Sequence, residues 1–205
     1  DMVLGALAVD SSNRAEAQAL YEKLGPTQGF DILREIRVLL ENEINQSGVT
    51  NLTFSANQHA ILEVRPSGIF VVGKDGKARL YATIKARLME KPEETKWQGY
   101  YFASAPGQRP LHGEDSWSSG TYLRDGLAEA FSRVSWAFVR EIGGKTAEGQ
   151  KVKISGLFAL FDSELKGLPG VILAEEDRYT VVRIPIFFAG VRPGTHVFER
   201  GEVAI

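Results

Sequence analysis

The chain has no cysteine among its 205 residues. That excludes a disulfide framework, a thiolate metal site and any cysteine nucleophile. Histidine is scarce as well, with three copies at His59, His112 and His196 that are far apart in sequence. No second histidine falls beside any of them at metal-ligand spacing. There is no excess of one charge: 24 Lys and Arg against 26 Asp and Glu leave a formal net charge of -2, which argues against binding nucleic acid by charge alone. Long apolar runs are missing too. The stretch 2–9 is apolar but too short to span a membrane and lacks a basic flank, so it reads as a strand. Also absent are a Gly-x-Ser-x-Gly elbow, a phosphate-binding Gly-Lys-Ser/Thr loop and a dinucleotide-binding glycine fingerprint, and no cofactor is implied.

What remains is an ordinary globular composition, 43% hydrophobic and 24% charged, in a chain long enough to bury a real core. The clearest pattern begins at Ala78. Ala78, Leu80, Ala82, Ile84, Ala86 and Leu88 take every second position, with Arg79, Tyr81, Thr83, Lys85 and Arg87 between them. Because successive strand side chains point to opposite faces, this predicts a strand with one apolar and one wet face. Lys91-Pro92-Glu93-Glu94-Thr95 reverses the chain into a second strand over 96–104. Over 122–142, Leu123, Leu127, Phe131, Val134, Phe138 and Ile142 recur every three or four residues, which predicts a helix with one buried face.

Upstream, helices are expected over 15–24, ended by Gly25-Pro26, and over 31–45, with Ile32, Leu33, Ile36, Leu39, Leu40 and Ile44 on one face. Short strands are expected over 60–64 and 69–72, broken by Pro66-Ser67-Gly68, with a hairpin turn at Gly73-Lys74-Asp75-Gly76. Beyond Gly143-Gly144 the helical period disappears. Strands are expected over 152–161, 170–173, 179–190 and 195–198, with turns at Leu168-Pro169-Gly170 and Arg192-Pro193-Gly194 and with Pro185 at an edge or bulge. The expected class is therefore α+β: residues 1–144 form an antiparallel sheet with helices packed on one face. Residues 145–205 are a β-rich extension of that sheet or a small β module.

The densest polar cluster, His112, Glu114 and Asp115, lies in the loop before the long helix. Its groups suit metal ligation or acid–base work, yet neighbours on an extended loop point apart. The simpler reading is a helix entry capped by Ser118 or Ser119, with Asp115 near the positive end. The acids Glu93-Glu94 and Glu175-Glu176-Asp177 read as solvated turns without calcium-loop spacing. Aromatic residues are more suggestive: Trp97, Tyr100, Tyr101, Phe102 and Trp117 offer either core packing or an exposed contact surface. Arg79, Tyr81, Lys85 and Arg87 on the wet strand face, together with Trp117, are the candidate partner-binding residues.

The strand Ala-Arg-Leu-Tyr-Ala-Thr-Ile-Lys-Ala-Arg-Leu, the following Trp97-Gln98-Gly99-Tyr100-Tyr101 and the helix from Tyr122 resemble a group of bacterial envelope lipoproteins. The resemblance covers residues 3–142, and is to the periplasmic α+β unit of curli-secretion and penicillin-binding-protein-activator lipoproteins. It implies a non-enzymatic envelope protein, periplasmic or anchored at the outer membrane, that binds protein partners through sheet edges or an aromatic face. The chain departs from that group in having no lipid-anchor cysteine, which would lie upstream of Asp1, and in its β-rich tail. The competing expectation is a small-molecule-binding or metal-dependent enzyme domain using the loop of His112, Glu114 and Asp115.

Overall fold

The computed structural model describes residues 5–6, 32–49, 60–73, 75–91, 94–119, 121–146, 149–156, 165–187 and 191–205. The elements are β1 (Gly5–Ala6), α1 (Ile32–Ser47), β2 (Ile61–Val72), β3 (Lys77–Lys91), β4 (Glu94–Ser104), β5 (Arg109–Pro110), α2 (Tyr122–Ile142), β6 (Lys151–Gly156), β7 (Leu165–Glu175), β8 (Tyr179–Ile184), β9 (Gly194–Glu199) and β10 (Val203–Ala204). The class is α+β, as the sequence predicts. The helix expected over 15–24 and His59 lie outside the described residues. Neither described helix is long and apolar enough to cross a membrane.

The strands form one sheet in the order β1-β2-β3-β4-β9-β8-β7-β6-β10, with the short β5 pairing β3. All neighbours are antiparallel except β1 with β2 and β4 with β9. The β3–β4 hairpin is where the sequence puts it, with Ile84 opposite Tyr101 and Lys85 opposite Tyr100. At the β2–β3 turn Gly76 takes φ +75°, a left-handed conformation that favours glycine, and the Asp75 carboxylate accepts the Lys77 amide at 3.0 Å. The alternation of β3 delivers Ala78, Leu80, Ala82, Ile84 and Ala86 to one core, where they meet Phe131, Val134 and Phe138 of α2 and Ile36 and Leu40 of α1. Leu33, expected on the buried face of α1, is 53% exposed.

Two prolines read as breaks lie inside strands. Pro66 sits in β2 opposite Ile84, and Pro169 sits in β7 opposite Lys153. In each case only one side of the strand carries a described neighbour at that level: β1 reaches only Ile69 and Phe70 of β2, and β8 pairs β7 only from Val171 onward. A missing N–H is tolerated on such a side. Gly170 is needed for packing instead, because a Cβ there would meet Ile154 Cδ1 at 2.3 Å and Val182 Cγ1 at 2.8 Å.

The tail strands have two covered faces. Leu173, Val181 and Val197 join the helix-covered core, whereas Ile154, Leu168, Val182, Ile184, Val191 and Phe198 form a second core on the opposite face. The topology requires those strands to curl. β9 and β10 are joined by residues 200–202 alone, yet they flank β8-β7-β6 from opposite sides. A flat sheet would hold them about 19 Å apart, whereas the four peptide steps from Glu199 to Val203 span at most about 14 Å. The rolled edge also reaches β3, where Glu202 lies 3.7 Å from Arg79.

Curling corrects the expected wet face of β3. Its middle is closed: Tyr81 is 7% and Thr83 8% exposed, and burial drives the Tyr81 phenol ionisation upward. That face is exposed at Lys77 and half-buried at Arg79, and it opens again from Lys85 onward.

Candidate interaction surface

Along α2, Glu129, Arg133, Trp136 and Arg140 recur at spacings of four, three and four, so they form a polar and aromatic stripe along one side of the helix. The β7–β8 turn folds onto this stripe, held by the Glu176 amide donating to Tyr179 O at 2.9 Å. Trp136 and Tyr179 meet with ring centroids 6.0 Å apart at 55°. Together with Glu176, Asp177 and Arg178 they line a shallow, open depression of about 330 Å³.

Guanidinium groups frame both rings. Arg140 lies 4.6 Å from the Trp136 ring centre, while Arg133 and Arg178 each lie 5.3 Å from that of Tyr179. Arg133 is fully buried. It bonds Glu129 Oε1 at 3.2 Å and Ser104 O at 3.3 Å, and lies 3.6 Å from Glu199. Arg178 shares Glu129 Oε1 at 2.8 Å, which Tyr179 also approaches through its hydroxyl at 3.4 Å. Burial, and then the Glu129 charge, push the Tyr179 ionisation up. From the other side Arg140 meets Glu176 at 3.5 Å, and Glu43 of α1 faces that pair; burial holds its carboxyl above the usual range. A second clasp lies further along α2, where Glu141 accepts Arg183 at 2.6 Å and Thr195 Oγ1 at 2.7 Å. Ion pairs and hydrogen bonds thus tie the helix to the tail strands beneath the depression, while Asp177 and Arg178 stay exposed at its rim.

The residues singled out from sequence fall elsewhere. Trp117 is a core residue, 2% exposed, with its indole N–H donating to Ala78 O at 2.8 Å and its ring tilted against Phe70. Its ring is why residue 126 is glycine: a Cβ there would lie 2.7 Å from Trp117 Cζ3. Tyr81 is buried and Arg79 is tucked beside Glu202, so neither offers a partner a free side chain. Lys85 sits 5.6 Å from the Tyr100 ring centre, and Arg87 grips Glu63. Both, like Arg79, are half-buried.

His112, Glu114 and Asp115 are all exposed. Asp115 adopts φ +52° and accepts the Tyr122 hydroxyl at 3.3 Å. Among the described residues no three of His, Asp and Glu are grouped so as to hold a metal. Ser118 and Ser119 do not cap α2, which opens at Thr121 with no side-chain cap; the Thr121 hydroxyl is turned to the Asp125 carboxylate instead. His196 is buried between Phe102, stacked at 4.6 Å, and Phe198, and its Nε2 pairs with Arg192 O at 3.0 Å.

No family model, curated protein or solved structure matches the chain.

Proposed function

We propose that this chain is a non-enzymatic protein-interaction or assembly module of the bacterial cell envelope, and that its partner seats on the Trp136–Tyr179 depression. The observation that carries this reading is the composition of that surface: a Trp and a Tyr ring tilted against each other, framed by three arginines and backed by an ion-paired floor. Trp, Tyr and Arg are the side chains that dominate binding energy at protein interfaces, and fixing them beforehand lowers the entropy lost on association. The envelope setting rests on the resemblance of residues 3–142.

The test is photo-crosslinking in living cells from a probe amino acid at Asp177, with a second probe at His112 on the loop before α2. A discrete crosslinked protein from 177, absent from 112 and lost on Trp136→Ala, is expected. Truncating a hot-spot tryptophan costs about 2 kcal/mol or more of binding, on the order of a thirtyfold loss of affinity. Crosslinks from 112 alone, or a 177 adduct indifferent to Trp136→Ala, would place the partner elsewhere.

A further inference from the structure

The three guanidiniums around the Trp136–Tyr179 depression are already engaged by carboxylates. Glu129 and Glu199 hold Arg133 and Arg178, and Glu176 meets Arg140. Two further acids face the same place: Asp177 at the rim, which pairs with no cation among the described residues, and Glu43 of α1, which shares Arg140 with Glu176. Five carboxylates therefore stand against three guanidiniums, a local excess of negative charge. The remaining described charges of this end do not reverse it. Glu175 pairs Thr180, which pairs Phe198 of the second core, so it lies on the far face of the sheet, and Arg200 of the β9–β10 turn offsets it. Glu202 holds Arg79, and Lys145, past the end of α2, leaves the sum negative. One donor is open as well: the Trp136 indole N–H has no acceptor among the described residues, whereas that of Trp117 in the core has Ala78 O.

An aromatic wall, surplus negative charge and a free N–H donor select among partners. Lysine and arginine cover apolar surface with their stems while their heads reach carboxylates, and an indole is the aromatic ring that attracts a cation most strongly. An acidic segment would meet like charge, and a purely apolar one would take carboxylates out of water without a counter-charge. We propose that the segment of the partner protein entering the depression is basic: a lysine or arginine side chain lies along Trp136 and Tyr179, its charge meets Glu176 and Asp177, and a backbone carbonyl beside it accepts the Trp136 indole N–H. The like charge of Glu43 and Glu176 on either side of Arg140 is relieved when that cation arrives. The inference rests on the depression being the partner's seat and adds the chemistry of the occupant.

Fluorescence anisotropy of short dye-labelled peptides titrated with the full chain tests it, using peptides in which serine alternates with arginine, glutamine or glutamate. The arginine peptide is expected to bind at least about tenfold tighter than the glutamine peptide and to weaken in high salt. Asp177→Lys reverses the rim charge and should lower that affinity at least about tenfold, as should Trp136→Ala. Glu114→Lys makes the same change in net charge on the loop before α2, outside the depression, and should bind as the parent does. Asp177 and Glu114 are both exposed, so the thermal melts of their variants should match the parent. An arginine peptide that does not bind, that binds no better than the glutamine or glutamate one, or that is weakened equally by Asp177→Lys and Glu114→Lys overturns the proposal. The seat itself is judged separately by the crosslink from 177, where Glu176 and Glu43 remain in place. An adduct that depends on Trp136 beside peptides bound without regard to charge keeps the seat and removes the basic occupant, whereas an adduct indifferent to Trp136 removes the seat.

Discussion

The sheet is buried on both faces in its tail strands, and the two cores beneath it are enclosed by different means. One is closed by helices: α2 lays Phe131, Val134 and Phe138 across long alternating strands, and α1 adds Ile36 and Leu40. The other is closed by the sheet itself, as β6, β7, β8 and β9 curl until Ile154, Leu168, Val182, Ile184 and Phe198 meet, with Val191 from the segment before β9. A helix covers a sheet with side chains it brings from outside, whereas a curled sheet must find room among its own residues. That is why Gly170 stands where two neighbouring side chains would otherwise collide with a Cβ. Packing of this kind leaves less slack.

The largest expected effects compare the two cores directly. Phe138→Ala removes a ring 2% exposed that meets Tyr101 edge-on at 5.0 Å, and should cost about 3–5 kcal/mol. Ile184→Ala, at a fully buried position in the smaller core, should cost about 2–3 kcal/mol. Urea unfolding midpoints of both variants measure the difference. If Ile184→Ala cost nothing, the second core would not be a packed one.

Next comes acid. His196 borders the curled region, and burial pushes its imidazole from 6.5 down to about 4, against the opposing effect of its bond to Arg192 O. In that interval the unfolded chain binds a proton that the folded chain refuses. Stability is therefore complete above pH 6.5 and falls as pH drops toward about 4, by as much as about 3 kcal/mol from this group. His196→Phe should flatten that part of the stability–pH curve, and chemical denaturation at several pH values reads it. A variant curve as steep as the parent's would mean that His196 is not the group excluded from water.

The smallest effect is expected on the open half of β3. Arg87 and Glu63 form an ion pair with both partners roughly a third exposed, so solvent screens it, and Arg87→Ala should shift stability by about 0–1 kcal/mol. A thermal melt showing more would mean the rolled tail covers β3 further than Thr83.

Much of the helix-covered core was legible because its signals are local. The alternation of 78–88 and the three-and-four spacing of 123–142 each arise within one element, and each survives folding unchanged. Curling was not legible, since no single strand carries it. Tyr81 reads as a wet-face residue until strands more than a hundred positions later roll over it. Pro66 and Pro169 read as breaks because whether a strand is paired on one side or on both is a property of its neighbours. The Trp136–Tyr179 depression escaped for the same reason: its two rings come from a helix and from the first residue of β8, forty-three positions apart. One signal was available in the Glu129, Arg133, Trp136, Arg140 stripe, whose spacing repeats the helical period beside the apolar face. An arginine among packed core positions marked the place where the tail docks.

Amide hydrogen exchange under native conditions, resolved by residue, tests most directly whether the two cores form one cooperative structure joined through β4, β9 and the Arg133 and Glu141 clasps. The account predicts that Val181, Val182 and Val197 open with the same free energy as Ala82 and Phe131, to within about 1 kcal/mol. Tail strands that exchange through an opening several kcal/mol cheaper than that of α2 would contradict it.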